Sequence, residues 1–258
     1  MKIVLTIAAV AFSLVPCAAQ AAVYVDNFDD NVRGPQWSEV ADDPSLAVSE
    51  TSGRLNVLAN APDSPNFDAI YLSDGPQGFR LSTATDFAIT IDYIFTAATL
   101  DTPGGGLGLV FGVGTDETGF NSAAIGYGYS GLGTTSTVVV SRTNDDPTPR
   151  GFDLTLPNTG QFAVVYVAAN DALIFGTFVN GNPTEVAILD DVVKGDWNAD
   201  SLLVSFGARG NGYSTSFGDA YFDNFAVQIG TLVPEPTALA IIGLSAVALL
   251  GGRRRRAL

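Results

Sequence analysis

Residues 87–96 read FAITIDYIFT, a run in which apolar and polar side chains alternate and β-branched and aromatic residues are common. A β-strand points successive side chains to opposite faces of its sheet, so this alternation predicts a strand with one buried face. One later turn cluster, VNGNP at 179–183, places Asn-Gly between two strands and predicts a hairpin. Further strand-like runs lie at 107–114, 136–142, 162–168, 173–179, 202–208 and 220–229.

The predicted strands follow one another without helices between them. Residues 22–230 contain no long segment of helical period and no repeat of fixed length. This combination predicts one all-β domain, an antiparallel β-sandwich of the jelly-roll type. Apolar segments at 3–15 and 237–252 favour an N-terminal signal helix and a C-terminal hydrophobic helix outside the sandwich.

Composition excludes several kinds of function. The chain contains no histidine and one cysteine, Cys17, which rules out Ser-His-Asp and Cys-His catalysis, His-ligated zinc and an intrachain disulfide. Residues 22–234 carry 7 basic and 26 acidic side chains, a net charge of −19. Such a surface repels nucleic-acid phosphates, so we expect no nucleic-acid partner. It serves solubility, or it collects divalent cations.

The first 21 residues have the three parts of a secretory signal peptide. Lys2 supplies the positive start, residues 3–15 form the apolar core, and Ala19 and Ala21 mark a small-x-small cleavage site for signal peptidase. The apolar run is short for a bilayer core of about 30 Å. We therefore expect export across the inner membrane, with the mature protein beginning near residue 22.

The C-terminal segment combines three features in a fixed order: a Pro-Glu-Pro linker at 231–236, an apolar helix at 237–252, and an arginine-rich tail at 253–258. At about 1.5 Å per residue the helix reaches about 24 Å, so it spans a bilayer only if flanking groups snorkel or the membrane thins. The arginines would then stay in the cytoplasm. The prolines hold an extended backbone that a protease can grip.

This combination resembles the PEP-CTERM sorting signal of Gram-negative bacteria. The resemblance implies recognition and processing by an exosortase, an integral membrane enzyme, after a transient membrane-anchored stage. It also implies delivery to the cell envelope surface or to an exopolysaccharide or biofilm matrix. The alternative is an ordinary tail anchor behind a proline-containing linker. The residues of the signal are Val233, Pro234, Glu235, Pro236, Arg253, Arg254, Arg255 and Arg256.

The central domain resembles the concanavalin A-like, laminin-G-like jelly roll of lectins and glucanases. Three stretches carry the resemblance: DNFDD at 26–30 with Trp37 after it, GLGLVFGV at 106–113, and YFDNF at 221–225. The resemblance implies that the first and last strands lie side by side in one sheet. Related carbohydrate-binding modules often hold a structural calcium near this strand pair.

If the terminal strands pair, their carboxylates could converge, and hard oxygen ligands are what Ca²⁺ takes. The predicted ligands are Asp26, Asp29, Asp219 and Asp223. The alternative is that these residues point to solvent while the phenylalanines between them fill the core.

Glycan binding needs an exposed aromatic platform with polar neighbours. The candidates are Tyr127, Tyr129, Trp197 and Tyr213; the alternative places the tyrosines in the core or at its rim, with Trp197 capping the sandwich. A glucanase of this fold carries Glu-x-Asp-x-x-Glu or Glu-x-Asp-x-Glu on one strand, and neither spacing occurs. We therefore expect no enzymatic activity. The sequence favours a structural or adhesive matrix protein, with carbohydrate binding as the alternative.

Overall fold

Antiparallel strands make up almost all of the regular structure in the part of the chain that the computed structural model describes. That part comprises residues 24–35, 37–41, 46–61, 68–74, 80–96, 99–100, 106–116, 119–130, 135–153, 157–179, 182–211 and 213–230. All of it belongs to one compact unit, Ala22–Leu232. The predicted signal peptide, linker, apolar helix and arginine tail lie outside the described residues. Within the described ranges, no helix is long and apolar enough to cross a membrane.

Eighteen strands and one short π-helical segment, Val192–Asp196, are present among the described residues. In chain order the strands are β1 Tyr24–Asp26, β2 Trp37–Ala41, β3 Leu46–Glu50, β4 Leu55–Ala61, β5 Asp68–Asp74, β6 Arg80–Ser82, β7 Phe87–Phe95, β8 Thr99–Leu100, β9 Gly106–Gly114, β10 Ser122–Ser130, β11 Thr135–Thr143, β12 Asp146–Asp153, β13 Thr159–Val167, β14 Ala172–Val179, β15 Asn182–Asp190, β16 Ser201–Asn211, β17 Tyr213–Ser214 and β18 Ala220–Ile229.

The strands form two sheets that pack face to face. The ten-stranded sheet has the order β15-β14-β13-β7-β18-β4-β17-β8, with β1 also paired to β18 and β3 to β4. The eight-stranded sheet has the order β12-β11-β10-β9-β16-β5-β2, with β6 paired to β16. The first and last strands are antiparallel neighbours, as the jelly-roll resemblance implies. The antiparallel β-sandwich predicted from sequence alternation is confirmed.

Strand β7 shows how alternation builds the core. Its side chains are alternately buried and partly exposed along all nine residues, so one face packs inward against the other sheet. Tyr93 stacks on Phe162 at a centroid distance of 4.1 Å. Trp37 meets Phe206 edge-on at 4.8 Å and Phe225 at 5.0 Å. Edge and offset contacts of this kind add to the stabilisation that apolar burial supplies. The opposite face of β7 is left for solvent.

Candidate functional site

A line of polar side chains crosses the outer face of the ten-stranded sheet. Since Ile91 and Tyr93 are buried in the core, Asp92 between them points outward. The strand register places Asp92 opposite Gln161 on β13 and opposite Asp223 on β18. Phe178 on β14 follows next to Gln161. Asp92, Gln161, Asp223 and the adjacent Asn224 are called the polar row below.

Hydrogen bonds fix the members of the polar row relative to one another. Gln161 donates from Nε2 to Asp92 Oδ1 at 2.8 Å, and Asn224 donates from Nδ2 to Asp92 Oδ2 at 2.8 Å. A register shift between Asp223 and Ala226 and a φ of 49° at Asn224 form a bulge in β18. Bulges re-aim side chains, and asparagine tolerates this left-handed backbone better than most residues. The bulge therefore brings the Asn224 amide to Asp92.

The electrostatic environment of the polar row is negative. Partial burial raises the pKa of Asp223 above its usual range; the charges of Asp92 and Asp29 also raise it, while the Asn224 N–H and Arg54 lower it. Arg54 lies on the same side of the molecule, with its guanidinium carbon 4.4 Å from the centroid of the Tyr221 ring. The aromatic ring of Tyr221 therefore borders the polar row, and the Arg54 guanidinium covers one of its faces.

A shallow groove of about 450 Å³, largely open to solvent, lies beside the polar row. Phe178 and Ile94 supply its apolar surface, and Asp92, Gln161 and Thr159 supply polar atoms. Ligand sites commonly combine apolar or aromatic lining with a few converging polar groups. The lining residues are Asp92, Tyr93, Ile94, Thr159, Gly160, Gln161 and Phe178.

Asp26, predicted as a calcium ligand, is held by hydrogen bonds from the residues around it. Its carboxylate accepts hydrogen bonds from Trp37 Nε1 at 2.9 Å, from the Phe28 N–H at 3.1 Å and from the Tyr24 hydroxyl at 3.2 Å. The Trp37 indole is 4% exposed, so its N–H needs this acceptor. The DNFDD sequence with its following tryptophan is therefore a structural motif at this position.

The other three predicted ligands do not complete a metal site of acidic side chains. Asp219 Oδ2 accepts from the Ser216 N–H at 2.7 Å and closes a turn, and Asp29 accepts from Asn27 Nδ2 at 2.8 Å. Asp223 belongs to the polar row. No three acidic side chains in the described ranges are placed to hold a metal ion together. Calcium binding stays a prediction from sequence.

The predicted glycan platform is wrong for Tyr127 and Trp197. Tyr127 is 2% exposed and lies against Tyr93 in the core, at a ring-centroid distance of 5.4 Å, because β10 turns its glycines outward and its tyrosine inward. Trp197 is 6% exposed and donates from Nε1 to Thr143 Oγ1 at 3.2 Å, so it covers the core as the alternative interpretation proposed. The side chains of Tyr129 and Tyr213 lie outside the described part of the structure.

Sequence reasoning missed Gln161, Phe178 and Asn224 as site residues. The alternation of FAITIDYIFT places Asp92 on the solvent face, whereas the continuous apolar run that follows Gln161 gives no comparable signal. What the pattern lacks is the register, because Asn224 and Asp92 stand 132 residues apart. Knowing which face of each strand is exposed does not reveal which strands are neighbours in the sheet.

Comparison with known proteins yields similarity of fold. No family model matches the chain, and no curated protein does. Among solved structures, the CBM2 module of the evolved Dit of Lactobacillus casei BL23 phage J-1 matches at a TM-score of 0.56 and 12% identity, over 81% of this chain and 96% of that one. The lectin UEA-II of Ulex europaeus, complexed with galactose, matches at 0.50 and 12%, over 81% and 100%.

A third match is GH43B of the xyloglucan PUL of Bacteroides ovatus, with a TM-score of 0.52 and 16% identity over 79% of this chain. This chain spans 38% of the length of that protein. At such identities the likeness establishes the fold alone, and the predicted antiparallel β-sandwich of the jelly-roll type is confirmed.

Proposed function

We propose that the domain is an exported, non-enzymatic carbohydrate-binding module that attaches to exopolysaccharide at the cell surface or in the extracellular matrix. The observation that carries the proposal is the polar row beside the groove that Phe178 and Ile94 line. Polysaccharide binding is the molecular activity through which the protein acts as a structural or adhesive component of the matrix.

The chemistry of the groove suits a sugar ring. One face of a pyranose is apolar and packs on an aromatic side chain, while its hydroxyls require hydrogen-bonding partners around the rim. Phe178 and Ile94 offer the first kind of contact, and Gln161 and Asp92 offer the second. Asp92 already holds both neighbouring amides at 2.8 Å, so little side-chain freedom is lost when a ligand arrives.

The comparisons support the proposal because solved structures of similar fold include proteins named as carbohydrate binders. A CBM2 module and a lectin complexed with galactose share the sandwich architecture. Fold alone does not assign a function, and the proposal therefore rests on the site. The similarity favours carbohydrates over other small molecules as the first ligands to test.

We propose binding rather than glycoside hydrolysis. A glycosidase needs one carboxyl group as acid and another as nucleophile or base across the scissile bond. Each Asp92 oxygen accepts a hydrogen bond from an amide, which holds this carboxylate as an acceptor within the sheet. Asp223 lies beside it on the same face rather than across a cleft.

The ends of the chain provide the address in this proposal. Signal peptidase removes residues 1–21, the apolar helix at 237–252 anchors the exported domain, and an exosortase then processes the Pro-Glu-Pro segment. The mature domain reaches the envelope surface or the matrix, where its ligand is found.

Isothermal titration calorimetry of residues 22–232 tests the proposal, since this unit contains the described hydrophobic core. The titrant is exopolysaccharide from the producing organism, and sugar release is followed in the same samples. We expect binding without hydrolysis and at least tenfold weaker binding in Gln161→Ala and Phe178→Ala. Gln228→Ala is the matched control, because Gln228 is exposed on β18 of the same sheet. Equal affinities in all variants, or hydrolysis, would contradict the proposal.

A further inference from the structure

We propose that the polar row selects a polysaccharide that carries ammonium groups, as a deacetylated amino-sugar chain does. This inference rests on the proposed carbohydrate-binding function and adds the class of the ligand. It follows from the polarity of the hydrogen-bonding groups, from the local charge and from the length of the row.

The polar row presents acceptors to a ligand. Gln161 and Asn224 each donate one amide N–H to Asp92, which leaves each amide one N–H and a carbonyl oxygen with two lone pairs, so acceptor positions outnumber donors. Asp223 accepts one hydrogen bond from the Asn224 backbone N–H at 2.8 Å, and its second oxygen adds another acceptor. An ammonium group has three donors and no acceptor, so it complements such a surface more fully than a hydroxyl, which has one donor.

The local charge favours a cation. Asp92 and Asp223 occupy directly opposite positions on adjacent antiparallel strands, where two like charges destabilise the pairing. Asp29 adds a third negative charge that acts on Asp223, and Arg54 is the positive charge that opposes them. Three carboxylates against one guanidinium leave an excess of two negative charges. A uronate or sulfated chain would be repelled by the same excess, and an ammonium would relieve it.

The dimensions of the row suit a polymer. From Phe178 to Asp223 the register crosses four adjacent strands, β14, β13, β7 and β18. Neighbouring strands lie about 4.8 Å apart, so the polar row extends over about 10 Å from Gln161 to Asp223, and the surface reaches about 14 Å with Phe178 included. This distance accommodates several linked sugar rings rather than one. The ammonium groups of successive residues can then approach the acceptors on different strands.

Calorimetry with four oligosaccharides of equal length tests the inference: glucosamine, N-acetylglucosamine, glucose and galacturonic acid oligomers, all at one pH at which the amines are protonated. We expect the glucosamine oligomer to bind at least tenfold more tightly than its N-acetylated counterpart and to weaken with added salt. Galacturonate is expected not to bind. Asp92→Asn and Asp223→Asn should each weaken glucosamine binding at least tenfold, with folding checked by thermal melting.

Asp190→Asn is the matched control, because it removes one carboxylate from an exposed position on β15 of the same sheet. Equal weakening by Asp190→Asn would show attraction to the acidic surface as a whole and would overturn the inference. So would equal or tighter binding of the neutral or anionic oligomers, which leaves the carbohydrate-binding function standing. Failure of all four oligomers and of the native polysaccharide to bind would overturn both. Calcium binding that is lost in Asp92→Asn, without glucosamine binding, would assign the row to a metal instead.

Discussion

The carboxyl group of Glu50 should make the stability of the domain depend on pH. Glu50 ends β3, and its Oε1 accepts the Val32 N–H at 3.2 Å, which Asp30 Oδ1 also accepts at 2.9 Å. Burial raises the pKa of Glu50 to about 7, with the carboxyl groups of Asp30 and Asp26 adding to the effect. The Val32 N–H lowers the pKa of Asp30. Below about pH 7 Glu50 therefore keeps its proton in the folded protein, whereas Asp30 ionises at a lower pH.

The sign of the effect follows from the two pKa values of Glu50. Its ordinary value is 4.5 and its folded value is about 7, so the unfolded chain ionises first as pH rises. Stability from this group is fully present below pH 4.5 and falls until about pH 7, above which the loss is constant. At about 1.36 kcal/mol per unit the shift corresponds to about 3.4 kcal/mol. Because the side chain keeps contact with solvent, we expect about 1–2 kcal/mol.

Glu50→Gln removes the titration and keeps an oxygen for Val32. The variant should match the wild type near pH 4.5 and exceed it by about 1–2 kcal/mol at pH 8, which for a domain of this size is about 2–8 °C in Tm. Urea unfolding at pH values from 4.5 to 8 measures the difference. Glu185→Gln, at an exposed position on β15, is the control and should show no such dependence. A wild-type-to-variant difference that stays constant across this range would refute the reasoning.

Three further substitutions test other parts of the structure. Asp26→Ala removes the acceptor of the buried Trp37 N–H and should cost about 2–4 kcal/mol in urea unfolding, equally with calcium and with chelator; a larger cost with calcium than with chelator would support Asp26 as a calcium ligand. Gly112→Ala places a Cβ in steric conflict with the Ala123 carbonyl oxygen and should cost about 3 kcal/mol or more; an unchanged Tm would show that the sheet moves to accommodate the methyl group. Thr137→Val replaces a fully buried hydroxyl that lacks a hydrogen-bond partner; it should raise stability by about 1 kcal/mol in the same assay, and a loss would reveal a hidden partner.

Alternation along the sequence predicts most of the strands. It does not show which face of a strand is buried when the residues of both faces can lie either in the core or in solvent. In FAITIDYIFT one face carries only large apolar or aromatic residues while the other carries Thr90 and Asp92, so the buried face is unambiguous. In IGYGYSG the choice lies between glycine and tyrosine, and exposed tyrosines on a glycine-rich strand are equally consistent with the pattern. The structure buries Tyr127 at 2% exposure, because the space between the sheets requires a large side chain there.

Long-range register explains what else sequence reasoning lacked. The sequence places Asp92 on an outward face and marks DNF at 223–225 as a dense polar and aromatic segment. Nothing local shows that β7 and β18 are neighbours, or that a bulge turns Asn224 toward Asp92. Asp26 shows the opposite case: its proximity in sequence to Trp37 is visible, and the structure supplies the hydrogen bond that explains it.

The side-chain amide signals of Gln161 and Asn224 in a nuclear magnetic resonance titration report on the polar row itself. Residues 22–232 labelled with ¹⁵N would be titrated with polysaccharide from the producing organism, and Gln228 provides the reference signal on the same sheet. The proposed function predicts that the Gln161 and Asn224 amide signals shift with saturation while Gln228 does not move. Saturable binding that leaves both amides unmoved, or shifts confined to the eight-stranded sheet, would contradict it.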